Sequence, residues 1–252
     1  MEKTYSQNDF GNMAHVYNTT RRGYGDEVYP YIKFLLKTKS IKTLDLGCGT
    51  GISTRELQQH GFNVIGLDKD ESMIAVAEEH GSDIAYIISG VNKLPFEDET
   101  FDVVTAFTAF HWFNNEESLK EIRRILKPNG LFVSVLKGNQ QDEESKNFRD
   151  EYMNILAKYA GPKFDTTQNH FDHEAMTKIG FKDLSETSFL LDEYYSVSDA
   201  LLLMKSLSIW NLVPEGSRQN FLDEMETFYR DNLVNGKVLR KRQLYVLYAY
   251  KE

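Results

Sequence analysis

The stretch LDLGCGTGISTREL, residues 44–57, constrains the fold more than any other part of the chain. An apolar run leads into Gly47, Gly49 and Gly51, and a helix-like pattern follows. A strand that turns through glycines into a helix leaves unpaired N–H groups at the helix start, which hold negative charge or lone pairs. Gly47 and Gly49 can take positive φ and leave room for a ligand near the backbone, while Gly51 permits close contact where the helix begins. The spacing is GxGxG and not GxGxxG, and a glycine fingerprint gains weight only from its neighbours.

Two acids supply that weight. Asp45 stands at the C-terminal end of the first strand, where ligands bind in open α/β sheets. It fixes a water or a cationic group there, or else caps the amides of its own turn. Asp68 ends the next strand, about twenty residues beyond the turn, the distance at which an acid reaches a ribose diol. Two hydroxyls donating to one carboxylate make a charge-assisted contact. The alternative is an N-cap for the following helix. Met73 lies flat on an adenine face or belongs to the core.

The rest of the chain repeats the strand–helix rhythm. Strands are expected at 41–46, 62–68, 83–89, within 101–110 and at 131–137, with helices at 27–38, 53–60, 72–80 and 116–127. Pro128-Asn129-Gly130 is read as the end of the last of these helices. This alternation predicts an α/β, Rossmann-like doubly wound sheet, mostly parallel, with helices on both faces. The pattern then changes: helix at 141–160, a short helix at 173–180, a strand region at 181–195, helix over 198–234 interrupted near 213–217, and a terminal strand at 241–251. The expected organisation is one domain over 1–252. Its cofactor-binding core covers about 27–140, completed by 181–195 and 241–251, and a helical cap covers about 141–175 and 198–235.

Composition narrows the function. No run of about eighteen apolar residues predicts a membrane span, and the N-terminus lacks the apolar core of a signal peptide. Cys48 is the single cysteine, so no internal disulfide forms and a cytoplasmic location is expected. It sits inside the glycine turn and reads as a packed thiol. The net charge of −9 argues against a nucleic-acid footprint. The short clusters Arg123-Arg124 and Arg240-Lys241-Arg242 read as solvated surface. A small-molecule substrate is expected, with the chain a monomer or homodimer. His170, Asp172 and His173 lie close in sequence but read as polar loop, so no metal site is expected.

LDLGCGTG, GLD, SMIAVA, LPFEDETFDVV and LKPNG together resemble the class I S-adenosylmethionine-dependent methyltransferases, over roughly residues 40–137. The resemblance implies a seven-stranded sheet with a reversed last strand, matching the terminal KRQLYVLYAYK. It implies S-adenosyl-L-methionine as cofactor. Asp45, Gly47, Gly49 and Gly51 would surround its methionine part, Asp68 would bind the ribose hydroxyls, and Met73 would pack on adenine; Lys69, next to Asp68, is a further cofactor-binding candidate. Many relatives carry an acid for the adenine amino group where this chain has Gly90, so adenine recognition would fall to the backbone near Val91 or to Asn92. Residues 15–25, HVYNTTRRGYG, are similar to the YxxxRPxYP segment of methyltransferases of the trans-aconitate and juvenile-hormone-acid kind. Tyr17, Arg21 and Tyr24 match, while Arg22 and Gly25 replace the prolines. An arginine fork suits a carboxylate, so Arg21 would hold either the cofactor's carboxylate or an acidic substrate.

The substrate side follows from TAFTAFHWF. Phe107 and Thr108 are expected near the sulfonium, with His111 and Trp112 at the mouth of the site. His111 is a general base for an oxygen or nitrogen nucleophile, a group that orients the substrate, or a histidine packed under the cap. Met204, Ser208 and Trp210 in the cap are expected to touch substrate. The expected activity is methyl transfer to an oxygen, nitrogen or carboxylate acceptor. A nicotinamide-dependent oxidoreductase and a non-catalytic S-adenosylmethionine-binding regulator are the alternatives.

Overall fold

The computed structural model describes residues 14–36, 41–80, 83–161 and 172–252. Among the described residues, eight strands build one sheet: β1 (Lys42–Leu46), β2 (Asn63–Asp68), β3 (Ala85–Ile88), β4 (Phe101–Phe107), β5 (Leu126–Asn139), β6 (Phe181–Tyr195), β7 (Leu233–Val234) and β8 (Lys237–Lys251). Their order is β3-β2-β1-β4-β5-β8-β6, with β7 paired to β8. The pairs β1–β2, β1–β4, β2–β3 and β4–β5 are parallel. The fold is thus the expected Rossmann-like one, a mostly parallel sheet with a reversed strand near its end. From β1 the chain first builds outward through β2 and β3, then returns to place β4 on the other flank. That reversal puts a ligand crevice at the carboxyl ends of β1 and β4, where Asp45 stands opposite Thr105.

The helices are α1 (Ala14–Thr20), α2 (Val28–Leu35), α3 (Ile52–Gln59), α4 (Glu71–Glu78), α5 (Glu116–Ile125), α6 (Lys146–Ala160), α7 (His173–Ile179), α8 (Val197–Lys205) and α9 (Arg218–Asp231). Local chemistry sets their limits. Asn115 caps α5 by accepting from Ser118 N, and Leu119, Ile122 and Ile125 form its buried face. Asp172 caps α7, which stops at Gly180 in the left-handed conformation. No helix among the described residues is long and apolar enough to cross a membrane.

The described residues divide into two compact units. The first takes 23–137, 172–189 and 244–252, and its core joins Leu44, Leu46, Phe101, Phe110, Phe132 and Phe181. The second takes 14–22, 138–161 and 190–243, and its core joins Tyr152, Tyr195, Met204, Phe221, Phe228 and Tyr229.

Three element boundaries differ from expectation. Pro128-Asn129-Gly130 does not separate α5 from a strand at 131; β5 begins at Leu126 and runs through it. Leu126 pairs with Phe101, and the register then shifts before Val103 pairs with Leu131. Asn129 takes φ +58°, so the segment is a bulge in a strand. Helix does not reach 234 either. Leu233-Val234 pairs antiparallel with Lys237-Val238 around Asn235-Gly236, both at positive φ, a two-residue hairpin turn. The terminal strand consequently starts at 237. The helix expected over 27–38 ends at Leu35, and residues 37–40 lie outside those described.

Candidate active site

The glycine turn is held from beneath by Asp45. This residue is fully buried, and its carboxylate accepts from Ser53 Oγ at 2.7 Å, Thr54 Oγ1 at 2.8 Å and Thr105 Oγ1 at 2.8 Å. It therefore ties the start of α3 and the strand β4 to β1. It caps hydroxyls and not the amides of its own turn, which corrects that alternative. Burial pushes its pKa up to about 6, against the pull of the three hydroxyls. Cys48 is buried between the acids. Burial raises its thiol well above the ordinary range, the condition of a packed and unreactive cysteine.

The three glycines do different work. Gly47, at φ +64°, faces Ala109, whose Cβ would lie 2.6 Å from an added Cβ. Gly51, at φ +77°, is the N-cap of α3 and lies against the Tyr86 hydroxyl, 2.5 Å from an added Cβ. Gly49, at φ +53°, has no atom within 4 Å of that position. Its N–H donates to Asp68 Oδ2 at 2.8 Å, and Asp70 N donates to Asp68 Oδ1 at 3.0 Å. Asp68 thus spans from the turn to the end of β2, beside the open flank of Gly49. The N-cap of α4 is Asp70, which accepts from Ser72 N and Met73 N, so Asp68 is not that cap. Burial raises the Asp68 pKa, opposed by the amides of Asp70 and Gly49.

Around this centre the first unit places the other expected residues. Met73 is buried, Lys69 is exposed at the end of β2, Val91 packs against the core and Asn92 is exposed. Phe107 is buried beneath Tyr24, with ring centroids 4.7 Å apart. Thr108 takes φ +52°, unusual for a β-branched residue, and accepts a hydrogen bond from the Tyr24 hydroxyl at 3.2 Å. A further brace escaped the sequence reading: Glu56 accepts from Tyr24 N at 3.0 Å and from the Tyr29 hydroxyl. A Cβ at Gly23 would sit 1.6 Å from Glu56 Oε1, so a larger residue there would displace this carboxylate from its place. A glycine just before the matched Tyr24 was the available signal.

His111 and Trp112 occupy a short 3₁₀ turn, Phe110–Trp112, after β4. Phe110 is fully buried between Phe113 and Phe132 and pins the turn, leaving His111 and Trp112 exposed. The two rings lie 4.7 Å apart. Partial burial lowers the His111 pKa, so the imidazole is neutral at pH 7.

The remaining expected residues belong to the second unit. Arg21 stacks over Tyr17 at 4.6 Å and donates from Nη2 to Ser206 O at 3.4 Å. Met204 has no exposed surface and lies 3.3 Å from the Tyr152 hydroxyl, so it is core there and not a substrate contact. Trp210 packs on Phe221, with Arg218 over its ring. Ser208 opens the 3₁₀ turn Ser208–Leu212. Arg240 overturns the reading of its cluster as solvated surface, because it is only 8% exposed. No cluster of three or more potential metal ligands occurs among the described residues, and His170 lies outside them.

Residues 44–134 match a family profile described as methyltransferase domain. The chain is 36% identical over 192 residues to an uncharacterized methyltransferase of Schizosaccharomyces pombe, covering 71% of this chain and 70% of the relative. It is 33% identical over 105 residues to a demethylmenaquinone methyltransferase of Thermotoga maritima, covering 40% of this chain and 46% of that protein. Among solved structures, a protein of Anaeromyxobacter dehalogenans described as a type II methyltransferase matches with a TM-score of 0.68. The match has 20% identity and covers 92% of this chain and 97% of that one. A glycine turn with one open flank, an acid bound to it from the end of the second strand, and these relatives converge on one assignment. The chain belongs to the class I S-adenosylmethionine-dependent methyltransferases, enzymes that take their methyl group from S-adenosylmethionine.

Proposed function

We infer that the chain methylates an oxygen, nitrogen or carboxylate acceptor on a small molecule. The observation that carries this reading is the open flank of Gly49 beside Asp68, a cradle that an added Cβ would fill. The residues present fit a nucleoside there. Asp68, flanked by Lys69, would accept from the ribose hydroxyls. Gly47, Gly49 and Gly51, braced by Asp45, would line the methionine part. Met73, Val91 and Asn92 would meet adenine, and Phe107 and Thr108 the sulfonium end. S-adenosylmethionine supplies a methyl group on a sulfonium, a leaving group that needs no acid to help it depart.

The protein's work is therefore alignment and exclusion of water. Phe107 and Tyr24 supply apolar surface, and the strained Thr108 is held in place by Tyr24. His111 takes the proton of a phenol, amine or alcohol acceptor, its lowered pKa keeping it neutral and able to do so at pH 7. A carboxylate acceptor is already deprotonated, and His111 then only positions it. The acidic net charge and the small-molecule acceptor named for the Thermotoga maritima relative support a small-molecule substrate. The nicotinamide-dependent and non-catalytic readings draw no support from the family match. The test is incubation with methyl-labelled S-adenosylmethionine and a fractionated metabolite extract. Label is expected in a small-molecule fraction. Label confined to protein or nucleic acid, or no transfer at all, would refute the reading.

A further inference from the structure

The helix that starts at the glycine turn also reaches the far end of the site. Glu56 stands on α3 five residues beyond Gly51, the N-cap. Its Oε2 accepts from Tyr24 N at 3.0 Å and from the Tyr29 hydroxyl. Tyr29 is 1% exposed, and its ring stacks on His60, with centroids 4.6 Å apart, and on Phe107 at 5.8 Å. Burial, and then the Glu56 carboxylate, push the Tyr29 hydroxyl far up, so it stays protonated and donates. Lys137, near the end of β5, donates to Gly23 O and lies 4.7 Å over the Tyr24 ring. Residues 23 and 24 are therefore held by an amide, by a carbonyl and by a ring.

Hydrogen bonds to a carboxylate are about twice as strong as those between neutral groups, so Glu56 fixes this stretch firmly. What it fixes is the cover of β4's carboxyl end. The Tyr24 ring meets Phe107 edge-on at 4.7 Å, and its hydroxyl donates to Thr108 Oγ1 at 3.2 Å. Thr108 follows β4 at φ +52°, a conformation that a β-branched residue keeps only where its surroundings impose it, and such strain gathers at functional sites. Asp45 ties the same helix to β4 through Ser53, Thr54 and Thr105. Thus α3 sets two things at once: the turn that would hold the methionine part, and the pair Phe107 and Thr108 at the sulfonium end. A stitch that served stability alone has no reason to finish on the strained residue of that pair.

We propose that Glu56 is a positioning residue for methyl transfer, acting through Tyr24 to hold the Tyr24 and Phe107 rings and the Thr108 hydroxyl around the sulfonium methyl. Tyr29 is the second donor that keeps the carboxylate in place. A misplacement of about 1 Å can cost roughly a hundredfold in rate, so a group that never touches the cofactor still governs turnover. This role rests on the cofactor placement given under the proposed function, whereas the bonds from Glu56 to Tyr24 and Tyr29 do not.

The test is NMR of the full chain with S-adenosylmethionine whose methyl group carries carbon-13, a readout that needs no acceptor. Ring currents from Tyr24 and Phe107 should displace the bound methyl signal from its free position. Glu56→Ala should undo most of that displacement. Glu56→Gln should undo part of it, because the amide carbonyl still accepts one bond, and Tyr29→Phe should move the signal in the same direction. Gln59→Ala, at an exposed position on the same helix, should leave it at the wild-type value. Affinity for S-adenosylhomocysteine should stay within about threefold of wild type in the Glu56 variants. The rate of label transfer to the accepting extract fraction, at saturating S-adenosylmethionine, should fall by more than about tenfold in Glu56→Ala with KM for S-adenosylmethionine unchanged. A purely structural role lowers the melting temperature and leaves the methyl signal in place. The proposal is overturned if the signal keeps its wild-type position in folded Glu56→Gln and Tyr29→Phe, or if S-adenosylhomocysteine affinity falls in parallel, which would assign Glu56 to cofactor binding. Wild type that fails to bind S-adenosylmethionine would overturn the cofactor placement as well. Wild type that binds it, with a signal that no Glu56 substitution moves, overturns this proposal alone.

Discussion

Replacing Gly49 by alanine separates a turn that needs glycine for its own shape from one that needs it for a ligand. Gly49 takes φ +53°, where an L-residue costs roughly 1–2 kcal/mol. An added Cβ meets no atom within 4 Å, so no steric penalty adds to that figure. In a chain of this size the melting temperature should fall by about 2–8 °C. Gly47→Ala provides the contrast. It carries the same backbone cost, and its Cβ would lie 2.6 Å from that of Ala109, which adds overpacking of roughly 1–3 kcal/mol. Gly49→Ala should therefore be the more stable of the two and still bind S-adenosylhomocysteine more than tenfold more weakly than wild type, a loss of at least about 1.4 kcal/mol. Calorimetry on the folded variant reads this directly. Wild-type affinity in a folded Gly49→Ala protein would mean that the open flank is not where the cofactor lies.

Other outcomes follow from the same geometry. Asp68→Ala should weaken cofactor binding at least about tenfold, since a hydrogen bond to a charged acceptor contributes about 1.5–3 kcal/mol; unchanged affinity by calorimetry would contradict its ribose role. Asp45 has a folded pKa near 6, above its unfolded value, so its ionisation opposes folding. Stability should be full below about pH 4 and fall by about 3 kcal/mol as pH rises through about 6. Asp45→Asn removes this term, so the stability difference between variant and wild type, measured by urea denaturation, should change across that window; a flat difference would refute the buried-carboxylate account. His111→Ala should lower turnover about a hundredfold with little change in S-adenosylhomocysteine affinity. If His111 is the base, the wild-type pH–rate profile should have its acid limb below 6.5, because the pKa is lowered; equal losses in turnover and affinity would remove its substrate-side role.

The sequence exposed the cofactor half more fully than the rest. There the strand, the glycines and Asp68 are set by local pattern, and a parallel sheet follows from alternation alone. The partners of Asp45 were less visible. Ser53 and Thr54 stand in the first turn of α3, but Thr105 arrives from a strand sixty residues away. Pro128-Asn129-Gly130 carries the signal of a stop, and only the pairing of Leu126 with Phe101 turns it into a bulge. Asn235-Gly236 is a strong hairpin signal, hidden by the helical pattern that precedes it. Arg240 shows the limit most clearly. A basic triplet reads as surface until its strand is placed against Tyr152, a contact that no local pattern encodes. Met204 is the converse, a residue expected at a ligand surface and found in a core.

The account stands on the turn between β1 and α3 as the seat of the cofactor. Titrating isotopically labelled protein with S-adenosylhomocysteine and following backbone amides tests this directly. Saturable shifts should be largest at residues 47–51 and 68–70, because those N–H groups border the open flank and Asp68. Absence of binding, or shifts confined to other parts of the chain, would contradict it.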